Sequence, residues 1–184
     1  MKVIIGLGNH GNKFKKTKHN AGFWILDELA SRNNVSYSAG FGEYIYSYIN
    51  KKDIYLMKPV SGMNLSGLAV NQFMDKYNVA LNELIIVLDD IDLPLGSLRI
   101  KPKGGDGCHR GIQNIIYSVG SNKFARLRFG IGTDENMRPS EKYVLKPFNN
   151  SDCLHAKDMI KKAADALDSI LFFGLEKTMN NFNT

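Results

Sequence analysis

Residues 1–22 read MKVIIGLGNHGNKFKKTKHNAG, and the order of chemistry along them sets the fold: an apolar run from Val3 to Leu7, a glycine-rich loop holding Asn9, a lysine-rich stretch, and then His19. A short unbroken apolar run reads as a buried strand, and the next apolar pattern, Phe23, Leu26, Leu29 and Ala30, has helical spacing with Asn20 placed as its N-cap. Strand, polar loop and helix open an α/β unit. Gly6-Leu7-Gly8-Asn9-His10-Gly11 also fits G-x-G-x-x-G, the dinucleotide fingerprint. The context opposes that reading. There the helix starts within the glycine loop and points its N-terminus at the pyrophosphate, whereas here residues Asn12 to Asn20 intervene. Asp27 and Glu28, near the spacing of a ribose-binding acid, fall inside the helix rather than after a second strand.

Working outward, Glu43 to Ile49 and Ile54 to Met57 are rich in Tyr and Ile and flank Asn50 to Asp53, the pattern of a hairpin at a half-exposed sheet edge. A loop at Ser61 to Asn64 leads into a helix whose buried face takes Leu68, Phe73, Met74 and Tyr77. Leu84 to Leu88, LIIVL, reads as a central strand buried on both faces. It ends in Asp89 and Asp90, and open α/β sheets bind ligands at such strand ends. Ser97 to Lys101 alternates as another strand. The loop from Lys103 to Cys108 precedes a helix from about His109, and Arg126 to Ile131 alternates with Leu127, Phe129 and Ile131 inward and two arginines outward. Ser151 to about Phe173 reads as a long amphipathic helix through Leu154, Ile160, Ala164, Leu167 and Leu171, with a shorter one at Glu176 to Phe182. The expected architecture is α/β: a single domain over 1–184, a twisted mixed β-sheet with helices on both faces.

At 184 residues the chain suits one well-buried domain, and its 43% apolar and 23% charged content lies in the ordinary globular range. The net charge of +6 is clustered at Lys13, Lys15, Lys16 and Lys18, and again at Arg99, Lys101, Lys103, Arg126 and Arg128. Such clusters attract polyanions, although a solvated basic surface has the same composition. Cys108 and Cys153 form no CxxC pair, which argues against a disulfide framework or a cysteine zinc site and suits a reducing cytoplasm. No stretch approaches the length of a membrane span, and the N-terminal apolar run is too short for a signal segment.

Three segments bring polar groups to the ligand end of the sheet: Asn9 with His19, Asn64 at a helix start, and Asp89 after the central strand. A histidine is a good base near neutral pH, and a carboxylate behind it fixes the tautomer and favours its protonated form. Asparagine amides can hold a water or donate to a developing oxyanion. Any one histidine is more often structural than catalytic. No GxSxG elbow or activated cysteine is present, so water is the expected attacking group. Asp106, Cys108 and His109 with His19 have no recognised metal-ligand spacing, so no metal or other cofactor is expected.

At IIGLGNHG with KHNAG, MNLSG at Met63 to Gly67, DDIDLPLG at Asp89 to Gly96, the loop ending in Cys108-His109-Arg110-Gly111, FARLRFGIG at Phe124 to Gly132, and MNNFN near the end, the chain resembles the bacterial peptidyl-tRNA hydrolases. These motifs occur in family order over nearly the whole length. The resemblance implies a metal-independent, monomeric, cytoplasmic esterase that cleaves the ester between a stalled peptide and the terminal ribose of tRNA. It makes His19 the general base oriented by Asp89, and gives Asn9 and Asn64 the peptidyl ester to position. Met63 and Phe14 would line the channel, with His109 farther along it and Arg110 beside it. Asn20 would contact the acceptor end, and Lys101, Arg128 and Arg99 would hold tRNA phosphate.

The chain departs from the family pattern at His10, in place of a proline, and at Ser61-Gly62, in place of a hydroxyl-aromatic pair. Asp106 and Cys108 stand in the glycine loop, and Arg110 replaces an asparagine. Gly62 is expected to open space beside Met63, and Arg110 to substitute charge for hydrogen-bond geometry in the grip on substrate. A non-catalytic RNA-binding protein of the same fold is the alternative. Such a protein needs the lysines and arginines but not the set Asn9, His19, Asn64 and Asp89.

Overall fold

The computed structural model describes residues 1–183, so residue 184 of the single domain expected over 1–184 lies outside the described residues. Strand β1 (Lys2–Gly6) is followed by helix α1 (Ala21–Arg32), and then by β2 (Ser38–Ala39), β3 (Tyr44–Ile49) and β4 (Ile54–Pro59). Helix α2 (Ser66–Tyr77), β5 (Leu84–Pro94), β6 (Leu98–Lys101), α3 (Arg110–Val119) and β7 (Ala125–Gly132) come next, before α4 (Ser140–Val144), α5 (Asn150–Phe173) and α6 (Leu175–Phe182). The seven strands form one sheet in the order β2-β3-β4-β1-β5-β7-β6. Its centre, β4-β1-β5-β7, is parallel, while β3 pairs antiparallel with β4, β2 antiparallel with β3, and β6 antiparallel with β7. The sheet is therefore mixed, as the sequence implied.

Alternation along the central strands divides the core in two. Ile4, Ile85, Val87, Leu127 and Phe129 face α1 and the alanine-rich side of α5, while Val3, Ile5, Leu7, Ile86 and Leu88 face α2 and α3. Full burial of each such aliphatic side chain stabilises the fold by about 1.5–3 kcal/mol. Both faces of the central strands are thus covered, which is why LIIVL shows no polar alternation.

Several expectations fail for identifiable reasons. Leu68 and Leu154 lie at core spacing but are exposed, because α2 and α5 bury neighbouring stripes: Ala69, Val70 and Phe73 in one, Ala156, Met159, Ala163 and Leu167 in the other. The tyrosine hairpin is not the sheet edge, since β2 adds two residues outside it. Tyr44 is buried, and Tyr46 and Tyr55 pack with Phe73 and Tyr77 of α2. Asn20 is not a side-chain N-cap of α1. Strand β5 does not end at Asp89: pairing with β1 stops at Val87, but pairing with β7 carries the strand onward, with a register shift between Asp90 and Pro94.

Helix α1 approaches the sheet more closely than a side chain would allow. A Cβ on Gly22 would lie 2.5 Å from the backbone N and O of Leu7 and from the carbonyl oxygen of Val87, and one on Gly6 would lie 2.4 Å from the carbonyl oxygen of Gly22. Backbone cannot yield as a flexible side chain can. Gly22→Ala is therefore expected to destabilise the protein by about 3 kcal/mol or more, as severe overpacking does. Gly105→Ala, at a site with no atom within 4 Å, should stay within about 0.5 kcal/mol of wild type. Denaturant midpoints of the two variants check the contrast.

Candidate active site

The site forms where β1 has ended and β5 continues. Asp89 lies there with only 2% of its surface exposed. The short 3-10 turn Lys18–Asn20 precedes α1, and the close seat of α1 at Gly22 brings this turn alongside β5. The Nδ1 of His19 lies 2.9 and 3.0 Å from the two carboxylate oxygens of Asp89. An ionised carboxylate can only accept, so Nδ1 carries the proton and Nε2 is left with the lone pair.

Asp89 serves a second imidazole. The Nε2 of His109 is 3.2 Å from Asp89 Oδ1, and the two rings are 5.0 Å apart. His109 is also the N-cap of α3, its Nδ1 accepting from the backbone N–H of Ile112 at 3.4 Å. That bond leaves Nε2 as its donor, so both rings present N–H to one carboxylate. His109 thus sits against Asp89 rather than farther along the channel as expected.

The electrostatics follow from the same contacts. Burial alone would raise the Asp89 pKa, but the charge and hydrogen bonds of the two imidazoles outweigh it and hold the carboxyl far below its ordinary value. Burial alone would lower the His19 pKa, but the Asp89 charge and hydrogen bond outweigh it and raise the imidazole above its ordinary value. The signs for stability follow by linkage. The His19 contribution is complete below the ordinary imidazole pKa and is lost as pH rises through the raised one, and the Asp89 contribution is complete above the ordinary carboxyl pKa and is lost on acidification. Between about pH 4 and pH 6.5 both are present in full.

Asn20 was expected to touch substrate but is buried, and its amide does another job. Its Oδ1 accepts from the Asn9 backbone N–H at 2.8 Å, and its Nδ2 donates to the Asn9 carbonyl at 3.0 Å. This pins the glycine loop to the His19 turn. Asn9 in turn accepts from the Met63 backbone N–H through Oδ1 at 3.0 Å. With that oxygen engaged, the amide NH2 of Asn9 is the group it can offer as a donor.

Two clefts meet at His19. The first, about 370 Å³, runs over Asp89, Asp90, His109 and Arg128 to a wall made of Arg138, Ser140, Glu141 and Val144. The second, about 410 Å³, is lined by Asn9, Phe14, Ser61, Gly62, Met63 and Asn64 and closes against Glu141, Val144 and Leu145. Arg110 and Glu141 belong to both clefts, and their exposed ion pair spans 2.5 Å. At Gly62, with φ +89°, an added Cβ would meet nothing within 4 Å.

A smaller pocket of about 170 Å³ adjoins the first cleft and is lined by Lys101, Arg126, Arg128 and the glycine loop 104–107. Arg128 pairs with Asp90. Burial raises the Asp90 pKa, and the Arg128 charge opposes that rise. Arg99 lies opposite Arg128 in the β6-β7 register and does not line the pocket. Arg126 was expected on the solvent side but is 3% exposed. It donates to the carbonyls of Gly105 at 2.7 Å and Asn122 at 3.1 Å, shaping the loop, while its buried Nε has no hydrogen-bond partner.

Sequence reasoning missed Glu141, Val144 and Asp90. The Asp89-Asp90 doublet was a usable signal for the last. Nothing local marks Glu141, whose partner is 31 residues away. Among the described residues the donor atoms of His19, Asp89 and His109 are the group near enough for a metal ion, all within 4.8 Å of one another. Their hydrogen bonds already account for that proximity. No helix of the described residues is long and apolar enough to cross a membrane.

The family profile described as Peptidyl-tRNA hydrolase matches residues 3–184. Peptidyl-tRNA hydrolase of Oceanobacillus iheyensis is 39% identical over all of both chains, and that of Pseudothermotoga lettingae is 41% identical over 100% of this chain and 97% of its own. The crystal structure of peptidyl-tRNA hydrolase from Acinetobacter baumannii superposes with a TM-score of 0.92 at 28% identity, covering 100% of this chain and 95% of that one. With fold, length and sequence in agreement, the chain belongs to the peptidyl-tRNA hydrolase family.

Proposed function

We propose that the protein hydrolyses the ester between peptide and tRNA in peptidyl-tRNA, releasing tRNA for reuse in translation, with His19 as the general base. The observation that carries this reading is the buried Asp89 carboxylate held between two imidazoles, which leaves His19 Nε2 as a proton acceptor beside the clefts. His19 Nε2 takes a proton from water, and the resulting hydroxide attacks the ester carbonyl carbon. The Asn9 amide NH2 donates to the developing oxyanion, a contribution that grows in the transition state. On collapse the ribose oxygen leaves and takes the proton back from the His19 imidazolium, whose charge Asp89 has balanced throughout. Asn64 in the second cleft contacts the peptide, with Met63 and Phe14 as its walls. Arg110 and Glu141 line both clefts as one ion pair.

Lys101 and Arg128 hold tRNA phosphate in the basic pocket, with Arg126 keeping the glycine loop in shape behind them. Arg99 adds positive charge on the same sheet edge. We assign the reaction to a monomer. Exposed, unpaired Cys108 and Cys153 suit a cytoplasmic setting. No metal is needed for the steps described, so EDTA is expected to leave hydrolysis unchanged in a release assay.

His19→Ala is expected to lower kcat by about 10²–10⁴, the usual span for a lost general base. Hydrolysis of an N-blocked aminoacyl-tRNA at the wild-type rate would sink the assignment. In the wild type, activity requires neutral His19, so its acid limb should lie above about pH 6.5, the ordinary imidazole pKa. Asp89→Asn removes the charge that raises this value and lets burial dominate. The limb then moves to lower pH while kcat falls, and a pH-rate profile of both proteins reads the shift. Lys101→Ala should raise KM with kcat retained and reduce the log-log salt slope of tRNA binding by about 1.

A further inference from the structure

Lys18, the residue before the proposed base, is a buried cation, only 1% exposed among many solvated lysines. Its Nζ donates to the Pro147 carbonyl at 2.9 Å and lies 3.7 Å from the Glu135 carboxylate. The same ammonium sits 4.2 Å from the Tyr143 ring centre and 5.2 Å from that of Phe148. Its backbone N–H donates to the Lys146 carbonyl at 3.0 Å. Burial lowers its pKa, and Glu135 opposes that shift. An aliphatic side chain could fill the space but could neither pair the Pro147 carbonyl nor meet two aromatic faces and a carboxylate with charge.

All these partners lie in one segment, residues 135–148. That segment carries Arg138, Ser140, Glu141, Val144 and Leu145, the walls of the two clefts opposite His19. Other contacts hold each side without Lys18. The Tyr143 hydroxyl donates to the Ile131 carbonyl at 2.6 Å and lies 3.0 Å from Thr133 Oγ1, tying α4 to β7. The His19 ring is held by Asp89. Loss of the ammonium would therefore loosen the distance between base and wall rather than dismantle either.

We propose that Lys18 is a positioning residue whose caged ammonium fixes the 135–148 wall against the His19 turn, and so sets how tightly the substrate is held beside the base. The proposal rests on the reading that these clefts bind the substrate. It acts through binding geometry, so its signature is in KM rather than in the chemical step.

The test is steady-state hydrolysis of N-acetyl-aminoacyl-tRNA by wild type, Lys18→Met, Lys18→Arg and Phe148→Leu, each checked for folding by circular dichroism. Lys18→Met is expected to raise KM about tenfold with kcat within about threefold of wild type. Its acid limb should not move, because the His19-Asp89 contact is untouched. Lys18→Arg restores a cation and should recover most of the KM. Phe148→Leu removes one face of the cage away from the clefts and should raise KM in the same direction by less. It keeps the test decisive should Lys18→Met not fold. Wild-type KM in either Lys18→Met or Phe148→Leu overturns the proposal, as does a fall in kcat with KM unchanged. Failure of the reading beneath it looks different: the wild type itself would not release the blocked amino acid.

Discussion

A carboxylate with almost no access to water is the constraint on which this molecule is built. An ionised group in that position is costly unless its oxygens are met by donors, and Asp89 is met by two imidazoles. Each comes from a different part of the chain, one from the turn before α1 and one from the cap of α3. The requirement to satisfy Asp89 therefore fixes both helices relative to β5. The same requirement fixes the tautomers, since a ring that must donate through one nitrogen has only the other with which to accept. The availability of His19 Nε2 as a proton acceptor and the integrity of the fold are two aspects of one contact.

Delivering His19 to that carboxylate depends on what is missing elsewhere. Gly22 and Gly6 let the first turn of α1 rest on the backbone of β1 and β5. Asn20 then secures the glycine loop from behind, and Asn9 carries the constraint across to Met63. The sequence from 6 to 22 is thus a relay of backbone contacts and amide hydrogen bonds between two strands' ends. Nothing in it requires a nucleotide. Its glycines resemble a phosphate-binding loop because both arrangements need close backbone approach after a strand.

The sheet and its helices were legible because burial writes periodicity. LIIVL marked a strand covered on both faces, and the amphipathic run after Ser151 marked α5. The set Asn9, His19, Asn64 and Asp89 was legible as polar groups brought to the ligand end of the sheet, and the family order of the motifs that carry them pointed to the family. What stayed hidden depends on contacts between distant segments. Arg126 alternates outward on paper, yet the loop 104–107 folds over it, and the carbonyls of Gly105 and Asn122 accept from it. Asn20 sits where a cap belongs, but the nearby Asn9 backbone competes successfully for its amide. Lys18 looked like one more member of a basic cluster, and only the return of the chain more than a hundred residues later buries it.

The ion pair of Arg110 and Glu141 has a topological consequence. The two clefts share this one exposed pair of opposite charges as lining, and such a pair contributes only about 0–1 kcal/mol and can part at thermal cost. The boundary between the clefts is therefore a seam, and parting it would join them into one trough without moving any strand of the sheet.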